Sequence, residues 1–189
     1  MAALISLKFS PVRIVRVAMP RIIFCLSVFA ALLLVASPDA RAGEPRLVGT
    51  YGKWDAYVFT EGDGKVCYMS SRPEKSSGKY AKRGEVYALI THRPQERTKD
   101  VFSYIAGYTY KPGSEATLEV DKTKITLFTQ DDTAWAPDSE SDRKVSEAIR
   151  SGSKMVVKGQ SSKGTSTTDS FSLSGSTKAY EKISKECGY

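Results

Sequence analysis

The chain of 189 residues contains a single histidine, His92, which is its one imidazole candidate for a general base. Such a base needs a nucleophile within hydrogen-bond reach and a group that orients the ring. Serines are plentiful, but the chain has no G-x-S-x-G elbow, and residues 159–164 have the wrong spacing. His92 ends an apolar segment and precedes Arg93 and Pro94, a position typical of a structural or solvated histidine. We therefore expect no catalytic residue, and a hydrolase built on His92 is the remote alternative.

Candidate ligands for metals and organic cofactors are few. Asp131, Asp132 and Asp138 offer the oxygen atoms that a hard cation prefers, but the EF-hand spacing is missing. Roles at a turn and at a helix start account for them better. Residues 62–64 begin like a dinucleotide-binding fingerprint, yet Cys67 stands where its third glycine belongs and no strand–helix–strand unit surrounds it. The sequence predicts neither a metal ion nor a cofactor.

Cys67 and Cys187 are predicted to form a disulfide bond. The third cysteine, Cys25, lies in an apolar segment near the N-terminus. A bridge from Cys67 to Cys187 closes a loop of about 120 residues. The chain-entropy model predicts that such a bridge stabilises the folded state by roughly 4–5 kcal/mol. The chain has no C-x-x-C motif, which argues against a thiol oxidoreductase. Two buried free thiols are the alternative.

Residues 1–42 have the pattern of a secretory signal peptide. Their first basic residues precede any acidic one, residues 22–35 are an apolar run of 14, and residues 40–42 read Ala-Arg-Ala. We expect cleavage before Gly43, leaving a domain of residues 43–189 in the periplasm, at the outer membrane or secreted. An uncleaved N-terminal anchor is the alternative. No second apolar run of spanning length follows, so we expect no membrane span in this domain.

The charge of the chain lies largely in its first 42 residues. Five of the 28 basic residues and one of the 21 acidic residues stand there, so residues 43–189 carry +3 rather than the +7 of the whole chain. The largest local excess is Lys79–Arg83, with three basic residues in five, which favours a solvated turn over an anion patch. A nucleic-acid partner needs a dense basic stripe, which is not visible, so none is expected.

Most of residues 43–189 alternate between apolar and polar side chains, the pattern of half-buried strands. Residues 72–84 are predicted to be a long loop. Helices are predicted over Ser139–Arg150 and from Ser176, which we expect to be the N-cap residue. The second helix places Cys187 on its apolar face, so the bridge would hold this helix to the strand that carries Cys67. The pattern implies an antiparallel sandwich of about eight strands, over residues 54–58, 65–71, 85–91, 101–108, 117–120, 124–129, 155–161 and 168–173.

Tyrosines are concentrated in or beside the predicted strands, and half of them should point outward from a sheet. Tyrosine is common at interfaces because its ring is apolar and its hydroxyl is polar. Either a partner-binding face or ordinary packing with hydroxyls at the rim accounts for them. The residues concerned are Tyr51, Tyr57, Tyr80, Tyr87, Tyr104, Tyr108 and Tyr110.

Short motifs follow one another in order along nearly all of residues 43–189. They are residues 51–54 (YGKW), 66–68 (VCY), 91–94 (THRP), 107–108 (GY), 111–116 (KPGSEA), 128–130 (FTQ), 134–135 (AW), 156–159 (VVKG), 164–165 (GT), 167–173 (TTDSFSL) and 186–187 (EC). This ordered set resembles the invasion-associated locus B family of exported bacterial proteins. The resemblance implies an immunoglobulin-like β-sandwich in the periplasm or outer envelope, and a role in host-cell invasion for some members.

The resemblance brings no catalytic residues with it. Other members have an additional cysteine shortly after the first-strand tryptophan, where this chain has Tyr57 and Val58, so a single bridge is left. The expected fold class is all-β, an immunoglobulin-like antiparallel β-sandwich with two short helices. The expected function is that of a non-enzymatic envelope protein with a structural role or an unknown protein or envelope component as partner. A surface adhesin or virulence factor that contacts the host-cell surface and promotes invasion is the alternative.

Overall fold

The computed structural model describes residues 43–189, so the predicted signal peptide lies outside the described residues. This part of the chain forms eleven strands and two helices. The strands are β1 (Arg46–Tyr51), β2 (Trp54–Glu61), β3 (Gly64–Ser71), β4 (Lys75–Ser77), β5 (Tyr87–Arg93), β6 (Thr98–Ile105), β7 (Glu115–Val120), β8 (Thr123–Gln130), β9 (Thr133–Trp135), β10 (Lys154–Gln160) and β11 (Ser166–Ser172). The helices are α1 (Ser139–Ser151) and α2 (Ser176–Cys187).

All strand pairs are antiparallel, and the strands follow the order β1-β2-β3-β5-β6-β9-β8-β7-β10-β11-β4. Most neighbours in this order are also neighbours in sequence, because tight turns join antiparallel strands. Three strands were not predicted. β1 has no buried residue and so shows little alternation, and β9 has three residues. β4 lies inside the predicted loop of residues 72–84, where it pairs with β11.

The two ends of this strand order face each other across one core. The indole of Trp54 on β2 donates a hydrogen bond to the Ser172 carbonyl oxygen on β11 at 3.1 Å. The ring of Tyr104 on β6 meets the edge of Phe171 on β11, with centroids 6.2 Å apart and planes at 80°. Side chains from both halves therefore fill a shared interior, and the all-β, sandwich-like fold with two helices is confirmed.

The inward side chains are largely those that the alternation predicts. Trp54 and Ala56 on β2, Ile90 on β5 and Leu118 on β7 have no exposed surface. Each stands two residues from another buried residue on its strand, because successive side chains point to opposite faces.

Helix α1 begins where the charge pattern places it. The carboxylate of Asp138 caps the helix by accepting a hydrogen bond from the Ser141 amide at 2.7 Å. Val145 and Ile149 on this helix are fully buried, and the helix lies against β6 and β8. Neither helix of residues 43–189 is long and apolar enough to cross a membrane.

Ser176 is not the N-cap of helix α2, so that prediction is wrong. The cap is Gly175, whose φ of 92° lies in the left-handed region and which makes no side-chain cap bond. A Cβ on Gly175 would stand 1.9 Å from the Tyr51 carbonyl oxygen, so the close approach of β1 requires glycine here. The Ser176 hydroxyl instead donates to the Ile149 carbonyl oxygen at 2.8 Å, which joins the two helices.

The structure contains the Cys67–Cys187 disulfide bond. It connects β3 with the last residue of α2, and the two Cα atoms are 6.0 Å apart. Helix α2 packs against β1, β2, β3 and β5, with Ala179 and Ile183 fully buried. The bond therefore fixes the C-terminal helix over the first half of the strand order.

Candidate functional site

His92 lies inside the protein, with no exposed surface, under helix α2. Its Nε2 atom is 3.2 Å from the Ser184 hydroxyl, so the nucleophile that a hydrolase would need is within reach. Its Nδ1 atom accepts a hydrogen bond from the Asp100 backbone amide at 3.1 Å. Nδ1 is therefore unprotonated, and in the neutral ring Nε2 carries the proton and donates to Ser184. This tautomer cannot take a proton from the serine.

The surroundings of His92 favour a neutral, structural ring. Burial lowers the pKa of His92 and outweighs the charge of Asp100, which raises it. The rings of Tyr180 and Tyr189 stand edge-on to the imidazole, each with its centroid 5.4 Å away. The Asp100 carboxylate accepts a hydrogen bond from the Tyr180 hydroxyl at 2.7 Å instead of orienting the histidine. His92 thus joins β5 to the C-terminal helix.

The aspartates considered as metal ligands lie in a turn and at a helix start. Asp131 has a φ of 52° in the turn between β8 and β9, and Asp132 accepts a hydrogen bond from the Thr133 hydroxyl at 2.9 Å. Asp138 is the cap of α1. Within residues 43–189 no group of three or more His, Cys, Asp or Glu side chains is placed to hold a metal ion.

The most deeply buried ion pair of residues 43–189 joins Arg83 to Asp169. Two nitrogen atoms of the Arg83 guanidinium donate to the two carboxylate oxygens of Asp169, at 2.8 and 2.7 Å. The side chains are 5% and 0% exposed, so the pair is shielded from water. Arg83 also donates to the Ala106 carbonyl oxygen at 2.7 Å and to the Tyr104 hydroxyl at 3.1 Å. This bidentate pair pins the β4–β5 connection to strands β6 and β11.

The pKa values of this cluster reflect the ion pair. Burial lowers the pKa of Arg83, but the hydrogen bond to Asp169 and the neighbouring charges outweigh burial, so the pKa is raised overall. Burial and the charge of Asp169 both raise the pKa of Tyr104, whose hydroxyl donates to Asp169 at 2.5 Å. Arg83 therefore remains a cation and Tyr104 remains a neutral donor at any physiological pH.

Above this pair lies a groove of about 710 Å³, which we call the basic groove. Three chain segments line it: residues 79–84, residues 107–109, and residues 161–167, which form the turn between β10 and β11 and the start of β11. Lys79 and Lys82 come from the first segment and Lys163 from the third, and all three are exposed. Tyr80 and Tyr108 supply aromatic surface, and each ring lies about 5 Å from the Arg83 guanidinium, at 5.3 and 5.0 Å.

The floor of the basic groove is set by close backbone contacts. The Gly84 amide donates to the Gly107 carbonyl oxygen at 2.8 Å. Gly107 has a φ of 70°, and a Cβ there would stand 2.5 Å from the Gly84 carbonyl oxygen, so no other residue fits. On the opposite side the Tyr108 hydroxyl bonds to the Thr167 hydroxyl at 2.7 Å. These contacts preform the groove without a ligand.

A second surface feature is the row of half-buried side chains that crosses the outer face of β2, β3, β5 and β6. It consists of Tyr57, Tyr68, Thr91 and Val101, which are register partners from strand to strand. The rings of Tyr57 and Tyr68 are stacked, with centroids 5.0 Å apart and planes at 12°. We call this set the outer row. Of its two tyrosines, Tyr57 was named from the sequence and Tyr68 was not.

The other tyrosines divide between inside and outside. Tyr104 and Tyr110 are buried, at 1% and 3% exposure, whereas Tyr80 is 37% exposed beside the basic groove. Tyr51, Tyr87 and Tyr108 are half-buried.

The comparison with protein families gives a match over most of the residues that the structure describes. The sequence model of the invasion associated locus B (IalB) protein family matches residues 54–184. The chain belongs to this family. No curated protein and no solved structure matches the chain significantly. The IalB match begins at the first residue of β2 and ends within α2, so it includes every residue that lines the basic groove and stops before Cys187.

Sequence reasoning found part of the basic groove and missed the rest. It identified the charge excess of Lys79–Arg83 but favoured a solvated turn, and it did not include Lys163 or Asp169. The strand pattern could have identified Asp169 as a buried residue. It stands two residues from Thr167 and two from Phe171 on β11, so all three side chains point to the same, inward face. A buried carboxylate that stays charged is usually paired with a cation, and Arg83 is that cation for Asp169.

Proposed function

We propose that the protein is an exported, non-enzymatic binding protein of the cell envelope that holds a ligand in the basic groove. The observation that carries this proposal is the composition of the groove lining, which consists of lysines, tyrosines, hydroxyl side chains, glycines, one alanine and the paired Arg83. None of these described lining residues is His, Asp, Glu or Cys. General acid–base catalysis uses histidine most often, and carboxylates and cysteine are among the other groups that serve it. A groove of this kind is suited to hold a ligand.

Two features support a place outside the cytoplasm. The signal-peptide pattern of residues 1–42 implies export and cleavage before Gly43. A disulfide bond between Cys67 and Cys187 suits an oxidising compartment such as the periplasm. We place the mature protein in the periplasm or in association with the outer membrane.

Fractionation of the native cells, combined with a photo-cross-linking residue in the groove, tests this proposal. We expect the protein in the envelope fraction with Gly43 as its first residue. A cross-linker at exposed Ser162, in the groove lining, should give a new adduct in cells, whereas one at exposed Lys122, in the β7–β8 turn, should not. A cytoplasmic protein with an intact N-terminus would contradict export. Equal adducts from both positions would contradict binding in the groove.

A surface adhesin that promotes entry into host cells is the second candidate. The outer row favours it, because half-buried aromatic side chains on an open sheet face are the kind of surface that protein partners cover. Protease added to intact cells separates the two candidates. Cleavage with a sound outer membrane would support the adhesin, and protection until the outer membrane is opened would support a periplasmic role.

A further inference from the structure

The three lysines of the basic groove make an uncompensated positive field. Within residues 43–189, Lys79, Lys82 and Lys163 form no salt bridge. Arg83 adds no free charge, because Asp169 neutralises it. No carboxylate lines the groove, so the field there has one sign and attracts an anionic group.

The size of the groove indicates an organic ligand. A volume of about 710 Å³ is far larger than a single inorganic ion needs, and lies within the roughly 300–1,000 Å³ of small-molecule sites. Tyr80 and Tyr108 offer flat apolar ring surface, and Ser162 and Thr109 offer exposed hydroxyl groups that can donate and accept hydrogen bonds. A sugar ring presents the same two surfaces, an apolar C–H face and a rim of hydroxyl groups.

The groove is also held in shape before any ligand enters. The four hydrogen-bonding contacts of Arg83 fix the loop that carries Lys79, Tyr80 and Lys82. The turn that carries Lys163 is closed by a hydrogen bond from the Ser161 amide to the Thr165 carbonyl oxygen at 2.9 Å. A preformed site loses little conformational entropy on binding, which favours affinity from few contacts.

We infer that the basic groove binds an anionic glycan, that is, sugar units carrying carboxylate or phosphate groups. This inference rests on the proposed binding function and names its ligand class. The lysines contact the anionic groups, the rings of Tyr80 and Tyr108 pack against sugar faces, and the hydroxyl side chains bond to sugar hydroxyls.

Calorimetric titration of the processed protein from the envelope tests the inference. The probes are oligogalacturonate, which carries a carboxylate on each sugar, a phosphorylated oligosaccharide, neutral dextran oligomers, and sodium acetate. The groove variant carries Lys79→Gln, Lys82→Gln and Lys163→Gln. The matched control carries Lys122→Gln, Lys124→Gln and Lys154→Gln, which remove the same charge from exposed positions outside the groove.

We expect at least one anionic oligosaccharide to bind. Because the groove variant removes all three free positive charges of the groove, it should lose roughly a hundredfold in affinity. The control variant should lose less than about twofold, and Tyr80→Ala should weaken binding while the charge is unchanged. Circular dichroism checks that all variants are folded.

Four results would overturn the inference: no anionic oligosaccharide binds, the neutral oligomers bind as tightly, acetate binds as tightly as oligogalacturonate, or the control variant loses as much affinity as the groove variant. If any one of them occurs while the cross-linker at Ser162 still gives its adduct in cells, the glycan class is wrong and the proposed binding function stands. If the adduct is also absent, both fail.

Discussion

Neutralising Asp169 should destabilise the protein more than any change at a surface ion pair. In the Asp169→Asn variant the Tyr104 hydroxyl keeps an oxygen acceptor, but the Arg83 guanidinium loses its carboxylate. The Arg83 side chain is only 5% exposed, so water cannot replace the lost charge. Breaking a buried pair by removing one partner costs about 3–5 kcal/mol. At about 2–4 °C per kcal/mol for a domain of this size, the melting temperature should fall by roughly 6–20 °C.

Urea unfolding followed by tryptophan fluorescence measures this loss, because Trp54 is fully buried in the native core. The matched control is Glu147→Gln, which removes the carboxylate from the ion pair between Arg143 and Glu147. These two side chains are 55% and 48% exposed, so we expect a change of less than about 1 kcal/mol. If Asp169→Asn lowers the free energy of unfolding no more than Glu147→Gln does, the buried ion pair does not hold residues 79–84 in place.

Three further predictions follow from the described residues. Replacing both Cys67 and Cys187 by alanine should lower the free energy of unfolding by roughly 4–5 kcal/mol, and an unchanged urea midpoint would contradict the role of this bond. Burial raises the pKa of Asp142 from 3.8 to about 6, so its contribution to stability falls as pH rises through that window. Between pH 4 and 7, the urea midpoint of Asp142→Asn should rise relative to that of the wild type as the pH rises. Midpoints that change in parallel with pH would refute this. Gly107→Ala should lower the melting temperature more than Gly113→Ala. Both glycines have a φ near 70°, but only the Cβ added at residue 107 would meet a carbonyl oxygen, at 2.5 Å. Equal losses would show that the clash is relieved.

The elements that follow from local pattern were predicted well. The second helix was expected to place Cys187 on its apolar face, and Cys187 is buried on α2 together with Tyr180 and Ile183. The strand around Cys67 was found because its side chains alternate, and the strand before His92 was found because its segment is strongly apolar. Such patterns depend on a few neighbouring residues, so the sequence contains the information they need.

The elements that were missed depend on distant parts of the chain. Strand β4 has three exposed residues, Lys75–Ser77, and is a strand only because β11 lies beside it. Ser176 has the residue type of an N-cap, but the approach of the Tyr51 carbonyl oxygen makes Gly175 the cap. Neither local propensity nor alternation carries this information, because tertiary contacts decide both cases.

In the basic groove, the run of basic residues overstates the free positive charge, because one of its members belongs to a buried ion pair. Residues 79–83 contain three basic residues, but the charge of Arg83 is neutralised by Asp169, which lies 86 positions later in the chain. Two lysines then remain, which alone would support a solvated turn. The third free charge comes from Lys163, in a turn that no sequence pattern connects to Lys79. The ion pair that removes one charge from the count also fixes residues 79–84 beside Lys163, so the proposed anion site depends on the fold rather than on the run.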